Sequence, residues 1–261
     1  NENKELQLPS VDAFATESTE NNDLNIEIDT NLCKRYSAVT ISGVKVMDSP
    51  QWLADRLTVI GIRPINNIVD ATNFVLMETG QPLHAFDLKK IKSRKVVVKS
   101  QSAGMKFVTL DGIERELNGR EAMVCDDDEP MCMGGIYGGL DSGVSAETTD
   151  ILLESAYFDP VVIRKAAKAH GLHTDASFRY ERGADPNITL YALKRAALLI
   201  KEIAGGVISS EIKDVYPSTI EPVRIDLRYS YMDSLIGKSI ERTLVKDILT
   251  SLNIQTVNEN E

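Results

Sequence analysis

Three histidines, three cysteines and one carboxylate set in an apolar stretch are the groups of this 261-residue chain most open to chemistry. His170 and His173, near Asp175, have a spacing that invites a metal. That spacing straddles Gly171, a helix-ending residue, so the two rings do not share a helix face. No third ligand is apparent, and a metal site is rejected. The run Asp126-Asp127-Asp128-Glu129 lacks the alternating spacing of a calcium loop and reads as a solvated turn. Neither a GxSxG elbow nor a phosphate-binding P-loop occurs, so nucleophilic hydrolase and nucleotide-binding chemistry have no motif here. Cys33, Cys125 and Cys132 form no CxxC pair and no disulfide framework. They fit buried thiols in a reducing cytoplasm, where the protein is expected to reside.

Glu154 lies in ILLESA, where Leu152 and Ala156 share its strand face. A carboxylate among such neighbours is costly unless a donor reaches it. The other reading is a strand-edge glutamate facing water. Upstream, MGGIYGG (Met133–Gly139) has four glycines in seven residues. These can let the backbone approach a ligand or simply make turns.

The net charge of −10 argues against a general nucleic-acid binder. Residues 1–31, with eight acids and one lysine, carry −7 of it. Within Val161–Gly183 the balance reverses, with Arg164, Lys165, Lys168, Arg179 and Arg182 facing only Asp175 and Glu181. That stretch is either a local phosphate-binding patch or a solvated helix face.

The elements that must position these groups are many and short. Residues 1–32 read as an acidic lead-in, and Tyr36–Val46 as a strand. Ser49-Pro50 is expected to cap a helix that Gly61 stops. A second helix is predicted from Asn67 to Thr79, closed by Gly80. Strands are predicted at Lys95–Lys99, Phe107–Leu110, Ile113–Leu117, Ala122–Cys125 and Ile151–Ala156, with Asp111-Gly112 as a hairpin turn. Asp159-Pro160 and Asp185-Pro186 each open a predicted helix, towards Gly171 and Gly205. The predicted fold is α+β, a sandwich-like mixed β-sheet core covered by helices. Residues 33–208 form its main domain. Residues 209–261 read as an exit linker and the truncated start of another domain, with one strand and a Ser239-capped helix bearing Leu244, Ile248 and Leu252. The chain begins with Asn1 and reads as an excised piece. No apolar run is long enough for a membrane span.

Three strings carry a resemblance: RPINNIVDATN followed by GQPLHAFD, MGGIYGG followed by DILLESAYF, and HGLHTDASFRYERGADP. Together, over about Cys33 to Val207, they resemble the editing domain of bacterial phenylalanyl-tRNA synthetase β subunits. The tail from Val223 to Val257 resembles the beginning of the module that follows it there. The resemblance implies hydrolysis of tyrosine mistakenly esterified to tRNA(Phe), sparing Phe-tRNA(Phe), with an α subunit as partner in an α₂β₂ assembly. It implies no cofactor for editing, since ATP and magnesium belong to the parent enzyme's synthetic site, and no aminoacylation by this piece alone.

The family's motif positions transfer to Arg63, Asn73, His84, Gly138, Glu154, Thr174 and Ala176, without departure. On this reading Glu154 accepts the tyrosine hydroxyl. Phenylalanine would leave it unpaired, and such a site can reject the analogue by roughly 10⁴-fold. Gly138 and Ala176 make room for the ring. His84 acts as a base or holds water. Thr174 and Asn73 offer neutral hydrogen bonds, or serve as local caps. Arg63 binds phosphate or a carbonyl oxygen, or pairs with an acid. Two other readings stand beside it: a non-catalytic structural or tRNA-binding module of the same synthetase, and an unrelated RNA-binding domain. The latter is disfavoured by the acidic balance.

Overall fold

A computed structural model describes residues 7–259. At its centre lie two largely buried strands, β2 (Cys33–Ser42) and β10 (Asp150–Phe158). They pair antiparallel and are covered on both faces. β3 (Leu83–Asp87) flanks β10, while β11 (Val207–Ile208) and β12 (Lys213–Val215) share the other edge of β2. A second sheet runs in the order β1 (Asn25–Ile28), β4 (Lys95–Lys99), β7 (Met123–Asp126), β8 (Glu129–Met133) and β9 (Tyr137–Gly138), with β1 parallel to β4. A separate hairpin joins β5 (Lys106–Val108) to β6 (Glu114–Glu116) through the Asp111-Gly112 turn. There Asp111 Oδ1 accepts from the Thr109 hydroxyl and the Ile113 amide.

Strand alternation divides the central sheet into two faces. Val39, Ile41, Ala85, Ile151 and Leu153 pack beneath α2 (Asn67–Thr79) and α5 (Thr189–Ala204). Ala192, Ala196 and Ala197 give α5 a flat inner stripe. Tyr36, Ala38, Phe86, Leu152 and Ala156 turn the other way, towards Val96, Val98, Val124 and Met133 of the second sheet. Ile163 and Ala166 of α3 (Pro160–His170) and Tyr180 of α4 (Asp175–Tyr180) close the same core. The architecture is the expected α+β sandwich of short strands with helical cover. All three cysteines are buried and free. Among the described residues, no helix is long and apolar enough to cross a membrane.

Local signals worked where one residue sets the geometry. Asp159 caps α3 by accepting from the Val161 and Val162 amides, and Gly171 ends it at φ 65°. They failed where tertiary partners compete. Ser49 caps nothing: its hydroxyl donates to Asp70, and α1 (Gln51–Val59) begins after Pro50 without a side-chain cap. The Asp185-Pro186 pair makes a turn, with Asp185 accepting from the Asn187 amide, so α5 starts only at Thr189. The first predicted strand ends at Ser42, because Gly43 turns the chain at φ 77°.

The compact unit extends beyond the expected 33–208 span at both ends. Leu24 and Ile26 of the lead-in are core residues, and β1 pairs with β4. The predicted exit linker contains β12, in register with Tyr36–Ala38. The chain instead divides after Thr219. From Ile220 onward there are two helices, α6 (Tyr229–Ile236) and α7 (Arg242–Ser251). The expected strand is absent among the described residues of this unit. Ser239 does not cap α7 but donates to Asp233, which also takes Arg242. Val245 is buried, while Leu244, Ile248 and Leu252 stay exposed.

Candidate functional site

The register between β3 and β10 puts His84 directly opposite Glu154, so the two side chains leave the same face of the sheet. On the other flank of β10, Glu154 faces Ala38 and Ala156 faces Tyr36. Tyr36 therefore reaches Glu154 diagonally, and its hydroxyl donates to Glu154 Oε2 at 2.6 Å. The entry to β3 is pinned at Gln81 and Pro82. The Gln81 amide donates to the carbonyls of Ala156 (2.8 Å) and Pro82 (3.0 Å), and the Tyr180 hydroxyl donates to Ala156 (3.0 Å).

Glu154 and His84 line a cavity of about 80 Å³, with Gly138, Ala176, Cys132 and Tyr180 among the other walls. The glycine-rich stretch serves both purposes read from its sequence, at different residues. Gly135 has φ 68°, and a Cβ there would come within 2.8 Å of the Tyr180 ring. Gly138 has no such φ. A Cβ on it would stand 2.7 Å from Leu110 Cδ1 and 3.4 Å from His84 Cε1. Gly135 is therefore a turn under an aromatic ring, and Gly138 is a wall that a side chain would fill.

Glu154 is buried in these walls, and the titratable groups respond accordingly. Glu154 is 4% exposed, and burial pushes its carboxyl up to about 7 against the opposing pull of the Tyr36 hydrogen bond. Burial lowers His84 to about 4. At neutral pH the imidazole is thus uncharged while the carboxyl is near its midpoint. His84 Nε2 is buried without a hydrogen-bond partner among the described residues, and its ring meets Phe86 edge-on at 4.4 Å. Glu154 and His84 are adjacent but not bonded to each other. No cation among the described residues pairs with the carboxylate.

The remaining candidates separate. Ala176 lines the cavity from α4. Thr174 lies one step away as the N-cap of that helix. Its hydroxyl accepts from the Ser177 amide (3.1 Å) and donates to the Ile136 carbonyl (3.0 Å), so it is already committed to holding α4 against the glycine-rich loop. Asn73 is a half-buried residue in the middle of α2, and Arg63 is exposed between α1 and α2; neither lines the cavity. Arg63 has no ion-pair partner among the described residues. His170 bonds Glu121 at 2.8 Å while His173 is exposed, so the two are not joint ligands. Among the described residues no cluster of three or more His, Cys, Asp or Glu could hold a metal ion.

Sequence reasoning missed Tyr36, Gln81 and Tyr180. Tyr36 and Tyr180 look like ordinary core aromatics in the sequence, and only strand register turns the first hydroxyl towards Glu154. Gln81 carried a weak signal, as a polar residue between a helix-ending glycine and a proline.

A protein-family model, the B3/4 domain, matches residues 32–205, the span that supplies every wall of this cavity. The chain belongs to the B3/4 domain family. This B3/4 chain is 52% identical over 257 residues to the phenylalanine–tRNA ligase β subunit of Bacteroides fragilis, covering 97% of the chain and 31% of that protein. To the corresponding subunit of Thermotoga maritima it is 44% identical over 250 residues, 96% of the chain and 31% of the relative. The chain thus spans about a third of the length of these curated relatives. A solved structure, an N-terminal fragment of the phenylalanyl-tRNA synthetase β subunit from Pyrococcus horikoshii, aligns with TM-score 0.49 at 14% identity, over 95% of this chain and 69% of that one.

Proposed function

We propose that this B3/4 domain edits: it hydrolyses the ester of tyrosine wrongly attached to tRNA(Phe) and spares Phe-tRNA(Phe). The observation that carries the reading is the buried Glu154 carboxylate, which presents an acceptor oxygen to a cavity it shares with the uncharged His84 ring and with Gly138, Ala176 and Tyr180. Oε2 is taken by Tyr36, and Oε1 has no partner among the described residues. A substrate phenol can donate to Oε1. A phenyl ring would desolvate the carboxylate and return nothing, which is the arrangement that rejects an analogue lacking a hydroxyl.

The chemistry asked of the protein is modest. A water oxygen attacks the ester carbonyl carbon, the bond to the ribose oxygen breaks, and that oxygen takes a proton, giving free tyrosine and deacylated tRNA. His84, neutral and weakly basic because it is buried, suits the holding of that water more than the full removal of its proton. Thr174 acts through α4, which it caps beside Ala176. Asn73 and Arg63, outside the cavity, are assigned to the nucleic-acid part of the substrate, as are the exposed Arg164, Lys165 and Lys168 of α3. The reaction as drawn uses no metal or cofactor. The working partner is an α subunit, in an α₂β₂ enzyme whose ATP and magnesium sites lie elsewhere.

The cavity also sets a condition. An engineered cavity of about 150 Å³ accepts benzene. At about 80 Å³ this one holds only a few waters. Admission of a phenol therefore requires movement of half-buried lining residues such as Leu83 and Tyr137.

The test is deacylation of Tyr-tRNA(Phe) and Phe-tRNA(Phe) by the intact synthetase. The natural enzyme is expected to clear only the tyrosyl species. Glu154→Ala is expected to lose most of a discrimination that can reach roughly 10⁴-fold. Discrimination unchanged in Glu154→Ala would overturn the reading.

A further inference from the structure

We infer that Tyr36 is the positioning residue of this site: its hydroxyl holds one oxygen of the Glu154 carboxylate, leaving the other turned to the cavity for the substrate's phenol. The inference rests on the editing reading above and adds a residue outside the family's motif positions.

Around Glu154 stand Tyr36 and Cys33 from the β2 side, His84 from β3, Cys132 from β8 and Tyr180 from α4, while Tyr137 of β9 lines the same cavity without a hydrogen bond to the carboxylate. None supplies a positive charge. Burial raises both thiols and the phenols of Tyr36 and Tyr180, so these groups are uncharged at neutral pH, and burial keeps His84 uncharged too. The Tyr180 hydroxyl is spent on the Ala156 carbonyl, and the Cys132 thiol points to the Tyr137 carbonyl. The Cys33 thiol points to the Arg35 carbonyl. That leaves the Tyr36 hydroxyl, at 2.6 Å, as the single hydrogen bond made to the carboxylate among the described residues.

A phenol donating to a carboxylate is also the interaction the substrate would make. Tyr36 thus supplies on Oε2 an internal copy of the contact that tyrosine would make on Oε1. Tyr36 itself is fully buried and not among the cavity-lining residues, so it acts on the substrate only through Glu154.

The experiment is Tyr36→Phe in the intact synthetase, which removes one oxygen and keeps the ring. Discrimination between Tyr-tRNA(Phe) and Phe-tRNA(Phe) at pH 7 is expected to fall by roughly 10- to 100-fold, the loss typical of a hydrogen bond to a charged group. The pH midpoint of tyrosyl clearance, measured above the uncatalysed background, is expected to rise by about one unit, because the carboxylate has lost the one donor it has among the described residues. A purely structural role would leave that midpoint in place. Should the phenylalanine variant not fold, 3,5-difluorotyrosine at position 36 keeps the ring and makes a stronger donor, so the midpoint should move down. An unmoved midpoint in either variant that folds would overturn the inference. A natural enzyme that clears neither ester would instead overturn the editing reading itself.

Discussion

Two glutamate–histidine pairs lie within one fold and are built in opposite ways. Glu121 and His170 are bonded at 2.8 Å, with side chains 2% and 6% exposed. Glu121 also accepts from the Asn118 and Arg120 amides. Although burial works to raise its carboxyl, the Asn118 amide and His170 hold it below the usual range. Glu154 and His84 are cross-strand neighbours with no bond between them. One is pushed up to about 7 and the other down to about 4, and the imidazole leaves Nε2 without a partner. The first pair spends its hydrogen-bonding capacity on the protein and ties α3 to the β6–β7 connection. The second keeps its capacity in reserve at a cavity. Unspent polar capacity in a dry place costs stability, and a site for ligands is where such a cost is repaid.

The sharpest way to break this contrast is to remove each carboxylate and read different observables. Glu121→Ala leaves two backbone donors and the His170 ring unpaired. Unfolding should be easier by about 3 kcal/mol, lowering Tm by roughly 6–12 °C. Tyr/Phe discrimination, measured below the melting range, should be unchanged. A loss of discrimination with the melt intact would mean that the two pairs are not functionally distinct.

Glu154 should behave with the opposite sign. Its folded value, about 7, lies above the ordinary glutamate value of 4.5. Folding therefore takes up a proton at this site between those values. The contribution to stability is complete below pH 4.5 and is lost as pH rises through 7. Glu154→Gln, which cannot ionise, should match the natural protein near pH 4.5. By pH 8 it should exceed it by about 3 kcal/mol, as measured by denaturant titration. His84 titrates in the reverse sense, losing stability as pH falls from 6.5 towards 4, and does so in both proteins, so its effect cancels. A difference that does not grow with pH would place Glu154 in solvent.

These particulars also show where the sequence stops speaking. Lys95–Lys99 and the α3 boundaries were legible because a run of three β-branched valines, Asp-Pro and glycine act within a few residues. Glu154 and Gly138 became candidates only through the family resemblance, since a carboxylate in an apolar strand and a glycine cluster read by themselves as readily as a strand-edge residue facing water and a turn. The pairing of Glu154 with Tyr36 was not legible, since 118 residues separate them and only the β2–β10 register joins them. The same holds for β12, where a polar KDV segment forms a strand only because β2 offers it a free edge. Ser49 failed for the converse reason: a good local cap was outcompeted by Asp70, 21 residues away.

Thr174 tests the contrast at its finest grain, because its motif position suggests chemistry and its hydrogen bonds describe scaffolding. Its hydroxyl makes one bond as acceptor, from Ser177, and one as donor, to Ile136. Thr174→Val keeps the shape and loses both, which should cost about 1 kcal/mol of stability, the usual value of an N-cap. Thr174→Ser keeps the hydroxyl and should restore it. If Thr174 works only through α4, tyrosyl clearance by the two variants should follow the order of their stabilities, with the serine variant close to the natural enzyme. Because α4 carries Ala176 and Tyr180 into the cavity, the valine variant should suffer mainly in KM, through a looser wall, rather than in kcat. A kcat that collapses in Thr174→Val while the melt barely moves would put the hydroxyl on the reacting water. The division between spent and unspent groups would then have to be redrawn to include it.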